Sequence, residues 1–229
     1  MKKYFNLRTV VAIAICLAGM TANSALAQAK KNGEVYKPDG ISLTYVEGNG
    51  SVKGFYIGTF EVTQAEWTAV MGSNPSKFKG DKLPVETVSW DDVQEFLTKL
   101  NAKSGRSYRL PTKVEWVYAA TGGTNNNYYE YAGNKNALKV AWCADNSKEK
   151  PHAVGTKKPN ALKIYDMSGN LWEWCNDEGE HFNLEGVGRV LHGGSWGDYT
   201  YGCSISSSRI WKPDTRNEYI GFRVVLPSE

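Results

Sequence analysis

The apolar positions change period several times along the chain, and each change marks an element. In "SWDDVQEFLTKLNAKSG" (89–105), Val93, Phe96, Leu97 and Leu100 recur at the spacing of one helix face. Ser89 stands where a cap is needed, Asp91 and Asp92 fall in the first turn, and Gly105 ends the helix. That face is read as core. "YRLPTKVEWVYAATGG" (108–123) places Glu115 three residues after Thr112, a capping-box pattern; its apolar face is read as Val114, Val117 and Tyr118, with Gly122 and Gly123 as the stop. "TQAEW" (63–67) repeats the cap pattern with Thr63 and Glu66. Alternating apolar and polar residues in "ISLTYV" (41–46) and "VKGFYIGTFEVT" (52–63) predict two short strands. Beyond residue 123 short apolar runs alternate with Asn, Gly and Pro. "LKIYDMSGNLWEWCND" (162–177) and "RVLHGGSW" (189–196) are read as turns and strands folded on their aromatics. Residues 28–40 are polar and expected to be loose. No repeat or low-complexity linker divides the chain, so residues 41–229 are read as one α+β domain with two helices, small sheets and much irregular backbone.

Residues 1–27 follow a different logic. Lys2, Lys3 and Arg8 precede the apolar run "VVAIAICLAGM" (10–20), and "ALA" (25–27) offers small residues for cleavage. This is the pattern of a signal peptide cleaved near Ala27, and it implies export to the periplasm or beyond. The apolar run is short for a membrane span.

Export changes the charge balance. The leader holds three of the 27 Lys and Arg residues and no acid, so 24 basic residues face 24 acidic ones in the remainder. A neutral chain gives no support to nucleic-acid binding. Without Cys16 three cysteines are left, Cys143, Cys175 and Cys203, which allow one internal disulfide in three alternative pairings. The three histidines, His152, His181 and His192, show no metal-ligand spacing, and there is no nucleophile elbow or phosphate-binding loop.

"GTFEVTQAEW", "NPSKFKG", "LPVETVSWDD", "YRLPTKVEWVYAA", "YDMSGNLWEWCND", "GGSW" and "IGFRVV" occur in one order between Gly58 and Val225. Each motif alone is modest; the ordered set resembles the sulfatase-modifying factor family, which contains the formylglycine-generating enzymes. The resemblance implies a variant of the C-type-lectin-like fold. Family enzymes oxidise a sulfatase cysteine using copper(I) held by two cysteines after a GGS turn, with a serine nearby. On that pattern Ser195 and Cys203 match, but the first cysteine position is Asp198. A carboxylate is a hard donor and a poor match for copper(I). The expectation is a domain without oxidase activity; a copper-dependent formylglycine-generating oxidase using Cys203 and Ser195 is the alternative.

The resemblance also implies structural calcium. Carried over by position, Asp166 and Glu173 would give carboxylates, and Gly169 and Leu171 main-chain carbonyls, a hard oxygen set suited to that ion.

The loop after GGS is rich in Tyr, Ser and Gly, a composition that combines rigid amphipathic contact area with adaptable hydrogen bonding. Trp196, Asp198, Tyr199, Tyr201, Ser204, Ser206, Arg209, Trp211, Asp214 and Tyr219 are the candidate ligand-binding residues. A varied segment ending near "GFR" also resembles the variable proteins of diversity-generating retroelements. The expected function is a calcium-stabilised module for a protein or glycan ligand. Partners in the alternative readings are a sulfatase or the proteins of a cell-envelope assembly.

Overall fold

The computed structural model describes residues 31–180 and 186–228; the leader residues 1–27 and His181 lie outside them. Two four-stranded sheets form the frame. The first contains β1 (Val35–Tyr36), β2 (Leu43–Val46), β3 (Phe55–Gly58) and β8 (Val225–Pro227), ordered β1-β2-β3-β8 and antiparallel throughout. The second contains β4 (Trp172–Gly179), β5 (Gly188–His192), β6 (Ser208–Trp211) and β7 (Ile220–Gly221), ordered β6-β5-β4-β7. Its one parallel pair sets Trp172 beside Ile220 and Glu173 beside Gly221.

Among the described residues three helices of two turns or more pack with the sheets: α1 (Gln64–Met71), α2 (Trp90–Ser104) and α3 (Lys113–Ala120). The expected count of two is therefore low by one, and a four-residue helix, α4 (Ala137–Val140), follows. All three long helices begin with a reciprocal capping box: Thr63 with Glu66 and Thr112 with Glu115, as read from the sequence, and Ser89 with Asp92, where the sequence reading had only the cap and a first-turn acid. Each box satisfies two backbone N–H groups that a helix start leaves orphaned.

α2 buries the predicted face, Val93, Phe96, Leu97 and Leu100. Phe96 lies flat on Trp67 of α1, with ring centroids 5.2 Å apart, and edge-on to Phe222. α3 corrects the expectation. Val114 is exposed, whereas Trp116, Ala119 and Ala120 are buried against Phe55, Ile57 and Leu162. Two alanines carry little hydrophobic signal, yet their small side chains let the helix approach the sheet closely.

The segment expected to be loose is also corrected over its described part. Val35 and Tyr36 pair with Thr44 and Leu43, and Arg106 donates from Nε to Asp39 at 2.9 Å. Backbone pairing and one ion pair order a stretch whose side chains alone look solvent-bound.

Candidate functional site

The site is a turn hung between two neighbouring strands. β5 and β6 are antiparallel, with Leu191 opposite Arg209 and His192 opposite Ser208, so residues 193–207 form the connection. Gly193 and Gly194 open it with φ of +98° and +75°. At Gly194 a β-carbon would run into the Gly202 carbonyl oxygen and stand 2.8 Å from the Cys203 Cα. Only glycine lets the outgoing and returning backbone meet there.

Asp198 is the knot of the turn. Its Oδ2 accepts from the Ser195 hydroxyl at 2.5 Å, the Ser195 backbone N–H at 3.1 Å and the Trp172 indole Nε1 at 2.8 Å. Its Oδ1 accepts from Arg209 at 2.6 Å, and that guanidinium lies 4.7 Å over the Trp172 ring. Both carboxylate oxygens are thus engaged by the protein. Cys203 is fully buried, with its Sγ 3.7 Å from the Ser195 carbonyl, and burial pushes the thiol's pKa far up. A carboxylate held by four protein donors therefore stands with a single buried thiol where a soft copper(I) site needs two thiolates. The residues at the copper position do not fit that ion.

The other candidates fall into separate groups. Trp196, Tyr199 and Tyr219 share a cavity of about 570 Å³ with Phe78, Asp145 and Glu218. Trp196 and Tyr219 are in ring contact at 4.3 Å, and Phe78 stands edge-on to Trp196 at 5.7 Å. Lys77 and Glu218 pair across the rim at 3.0 Å. Tyr199 and Tyr201 are exposed, 62% and 75%, with their rings stacked 6.2 Å apart. Ser204 is buried and bonded to the hydroxyls of Ser206 and Ser207, so it serves the turn rather than the surface. Trp211 packs on the core, and Asp214 follows Pro213, whose carbonyl receives the Trp90 N–H at the start of α2. Trp211 and Asp214 are absent from the cavity wall. Phe78 and Asp145 were not among the candidate ligand-binding residues, since they arrive from distant loops and no local pattern places them beside Trp196. A larger cavity of about 640 Å³ is lined by Ser51, Arg109, Glu115 and Pro227 and takes nothing from the 193–219 segment. Its Arg109 and Glu115 satisfy each other at 2.6 Å.

Behind the turn lies a buried cluster of charge. Arg223 is fully buried and donates from Nε and one terminal nitrogen to the two Glu173 oxygens, each at 2.6 Å. Trp116 Nε1 donates to Glu173 at 2.7 Å. Glu61, also buried, accepts from the Leu171 N–H and the Asn170 side chain. Asp166 accepts from the Gly155 N–H at 2.7 Å through Oδ2, while its Oδ1 is buried with no hydrogen-bond partner. Burial, followed by the neighbouring carboxylates, pushes Glu61 up; burial raises Asp166 to about 6.

Three buried carboxyl groups share one arginine, and the orphaned Asp166 oxygen fits a hard cation. Among the described residues no three His, Cys, Asp or Glu side chains converge as a metal cage. Such an ion would therefore rely on main-chain carbonyls such as those of Gly169 and Leu171. Glu173 is already committed to Arg223 and Trp116 and would take part only as a shared carboxylate.

A family model for the sulfatase-modifying factor enzyme 1-like domain matches residues 26–227. The chain belongs to this family. The chaperone protein LppX of Paenibacillus barcinonensis is 35% identical, over 67% of this chain and 73% of its own length. The inactive C-alpha-formylglycine-generating enzyme 2 of Bos taurus is 28% identical; the match takes in 71% of this chain and spans 56% of the bovine protein. Among solved structures, Treponema denticola variable protein 1 is 28% identical with a TM-score of 0.75, covering 85% of this chain and 98% of that one. The fold is the C-type-lectin-like fold of the sulfatase-modifying factor family.

Proposed function

We propose that this chain is a non-oxidising binding module, in which the turn that holds copper in family enzymes serves as a ligand-contacting surface. The observation that carries the reading is the engagement of Asp198 by Trp172, Ser195 and Arg209. A residue so held braces the turn and has no oxygen to spare for a metal or substrate. The aromatic cavity and the exposed Tyr199–Tyr201 pair supply contact area at low conformational cost. A relative named as a chaperone and another named as inactive support binding rather than oxidation.

The reading includes a structural cation at Asp166 and the carbonyls of Gly169 and Leu171. Its chemistry would be charge compensation, lowering the cost of burying Glu61, Asp166 and Glu173 together. It also includes export directed by residues 1–27, which N-terminal sequencing of the secreted protein would check.

The test is a direct assay. The protein is mixed with copper(I), oxygen and a peptide bearing Cys-x-Pro-x-Arg, beside an active family oxidase, and the peptide is followed by mass spectrometry. An unchanged peptide is expected. Conversion of its cysteine to an aldehyde would overturn the proposal and make the chain an oxidase.

A further inference from the structure

The sequence leaves three ways to pair Cys143, Cys175 and Cys203; the fold leaves one. Cys175 sits in β4 within the core cluster that contains Trp116, Phe55 and Val225, its Sγ directed to the Glu173 carbonyl. Cys143 and Cys203 belong to a separate buried cluster with Ala141. The backbone holds their two turns side by side. The Ala144 N–H donates to the Asp198 carbonyl at 2.8 Å, and the Ser147 hydroxyl donates to the Trp196 carbonyl at 2.8 Å. Each thiol has only a long sulfur contact to lose: 3.8 Å from Cys143 to Asp145, and 3.7 Å from Cys203 to the Ser195 carbonyl. Such contacts are weak, so turning either side chain toward the other costs little hydrogen bonding.

We propose that Cys143 and Cys203 are a thiol pair that closes into a disulfide when the chain meets an oxidant of the small-molecule disulfide class. In that step both thiols lose their protons, a Sγ–Sγ bond forms, and the oxidant's own S–S bond takes up two electrons and breaks into two thiols. Both side chains are buried in the folded protein, so the exchange takes place during folding or in local openings. Burial also raises both thiol pKa values, so closure, which needs a thiolate, waits on those openings.

The cross-link joins two of the segments that line the aromatic cavity: Ala144 and Asp145 follow Cys143, and Trp196, Gly197 and Tyr199 precede Cys203. Oxidation would close a loop of about 60 residues and fix the spacing of those segments. This inference is independent of whether the chain is an oxidase.

The experiment refolds the reduced full chain in a glutathione redox mixture. Remaining thiols are then alkylated, and the protein is digested and mapped by mass spectrometry. The expected result is a peptide pair linking Cys143 to Cys203, with Cys175 alkylated and a higher Tm than the reduced form. Cys143→Ala and Cys203→Ala should each abolish the link, and Cys175→Ala should keep it. Alkylation of Cys143, Cys175 and Cys203 alike after refolding, or a link from Cys143 or Cys203 to any other cysteine, would overturn the proposal. Should a variant fail to fold, the map of the unmodified sequence decides alone.

Discussion

The indole nitrogen of Trp172 donates to the carboxylate of Asp198 at 2.8 Å, tying the first strand residue of β4 to the turn between β5 and β6. The same Asp198 oxygen takes the Ser195 hydroxyl, and its partner oxygen takes Arg209. Asp198→Ala would leave the Trp172 and Ser195 donors without their acceptor. The expected loss is about 2 kcal/mol of stability, within the range for stranded buried donors. Asp198→Asn, which keeps acceptor capacity, should lose less. Urea denaturation of both variants checks the order.

Trp196 and Tyr199 line one cavity but should respond differently to truncation. Trp196 is 6% exposed and packed between Phe78 and Tyr219, so Trp196→Ala should cost about 3–5 kcal/mol. Tyr199→Ala and Tyr201→Ala remove exposed rings and should change stability by no more than about 0.5 kcal/mol. If the binding reading holds, the tyrosine variants lose ligand capture while their unfolding curves stay in place. Unfolding of the tyrosine variants would show those rings to be structural.

The Glu173–Arg223 pair is fully buried and bidentate. Glu173→Leu alone strands a buried guanidinium and should cost about 3–5 kcal/mol. Arg223→Met on that background should recover only part of the loss, because the pair's desolvation penalty disappears but the Gly58 and Tyr165 carbonyls lose a donor and Glu61 and Asp166 lose their arginine. A double-mutant cycle in urea measures the coupling; additive losses would mean the two side chains stabilise the fold separately.

His192 sets a pH dependence. Its ring stacks on Trp116, Nδ1 lies 3.1 Å from the Ser207 carbonyl, and burial holds its pKa below the ordinary 6.5. A base with a depressed folded pKa stabilises the fold above its unfolded pKa. That contribution is lost as pH falls from there through the lower folded value, because the unfolded chain takes the proton more readily. Between about pH 7.5 and about pH 5.5 the parent chain should lose more stability than His192→Asn. The buried acids Glu61 and Asp166, whose pKa values are raised, act in the opposite direction in both proteins and cancel in the comparison. Equal losses would mean that folding leaves the proton affinity of His192 unchanged.

The helices were legible because their signals are local. Ser89 and Asp92 are three residues apart and suffice to start α2. The face of α3 was misread because Val114 looks more apolar than Ala119, although only the latter meets the sheet. The N-terminal strand was missed because pairing of Val35 with Thr44 is a backbone matter that a polar composition conceals. At the site, motif order placed Asp198 at the family's cysteine position. Its latch to Trp172 crosses 26 residues and leaves no periodic trace. The cavity is less legible still, since Phe78, Asp145 and Trp196 arrive from three loops that only the finished fold brings together.

The glycine pair, the Asp198 knot and the β5–β6 register fix the turn at its root, whereas Tyr199 and Tyr201 project from its tip. Under the proposed binding function, folding duty and contact duty fall on different residues of one short segment. Such a turn would behave as a cassette: a few codon changes at the tip would rewrite what the protein touches, while strand pairing and core packing pass unchanged from one version to the next.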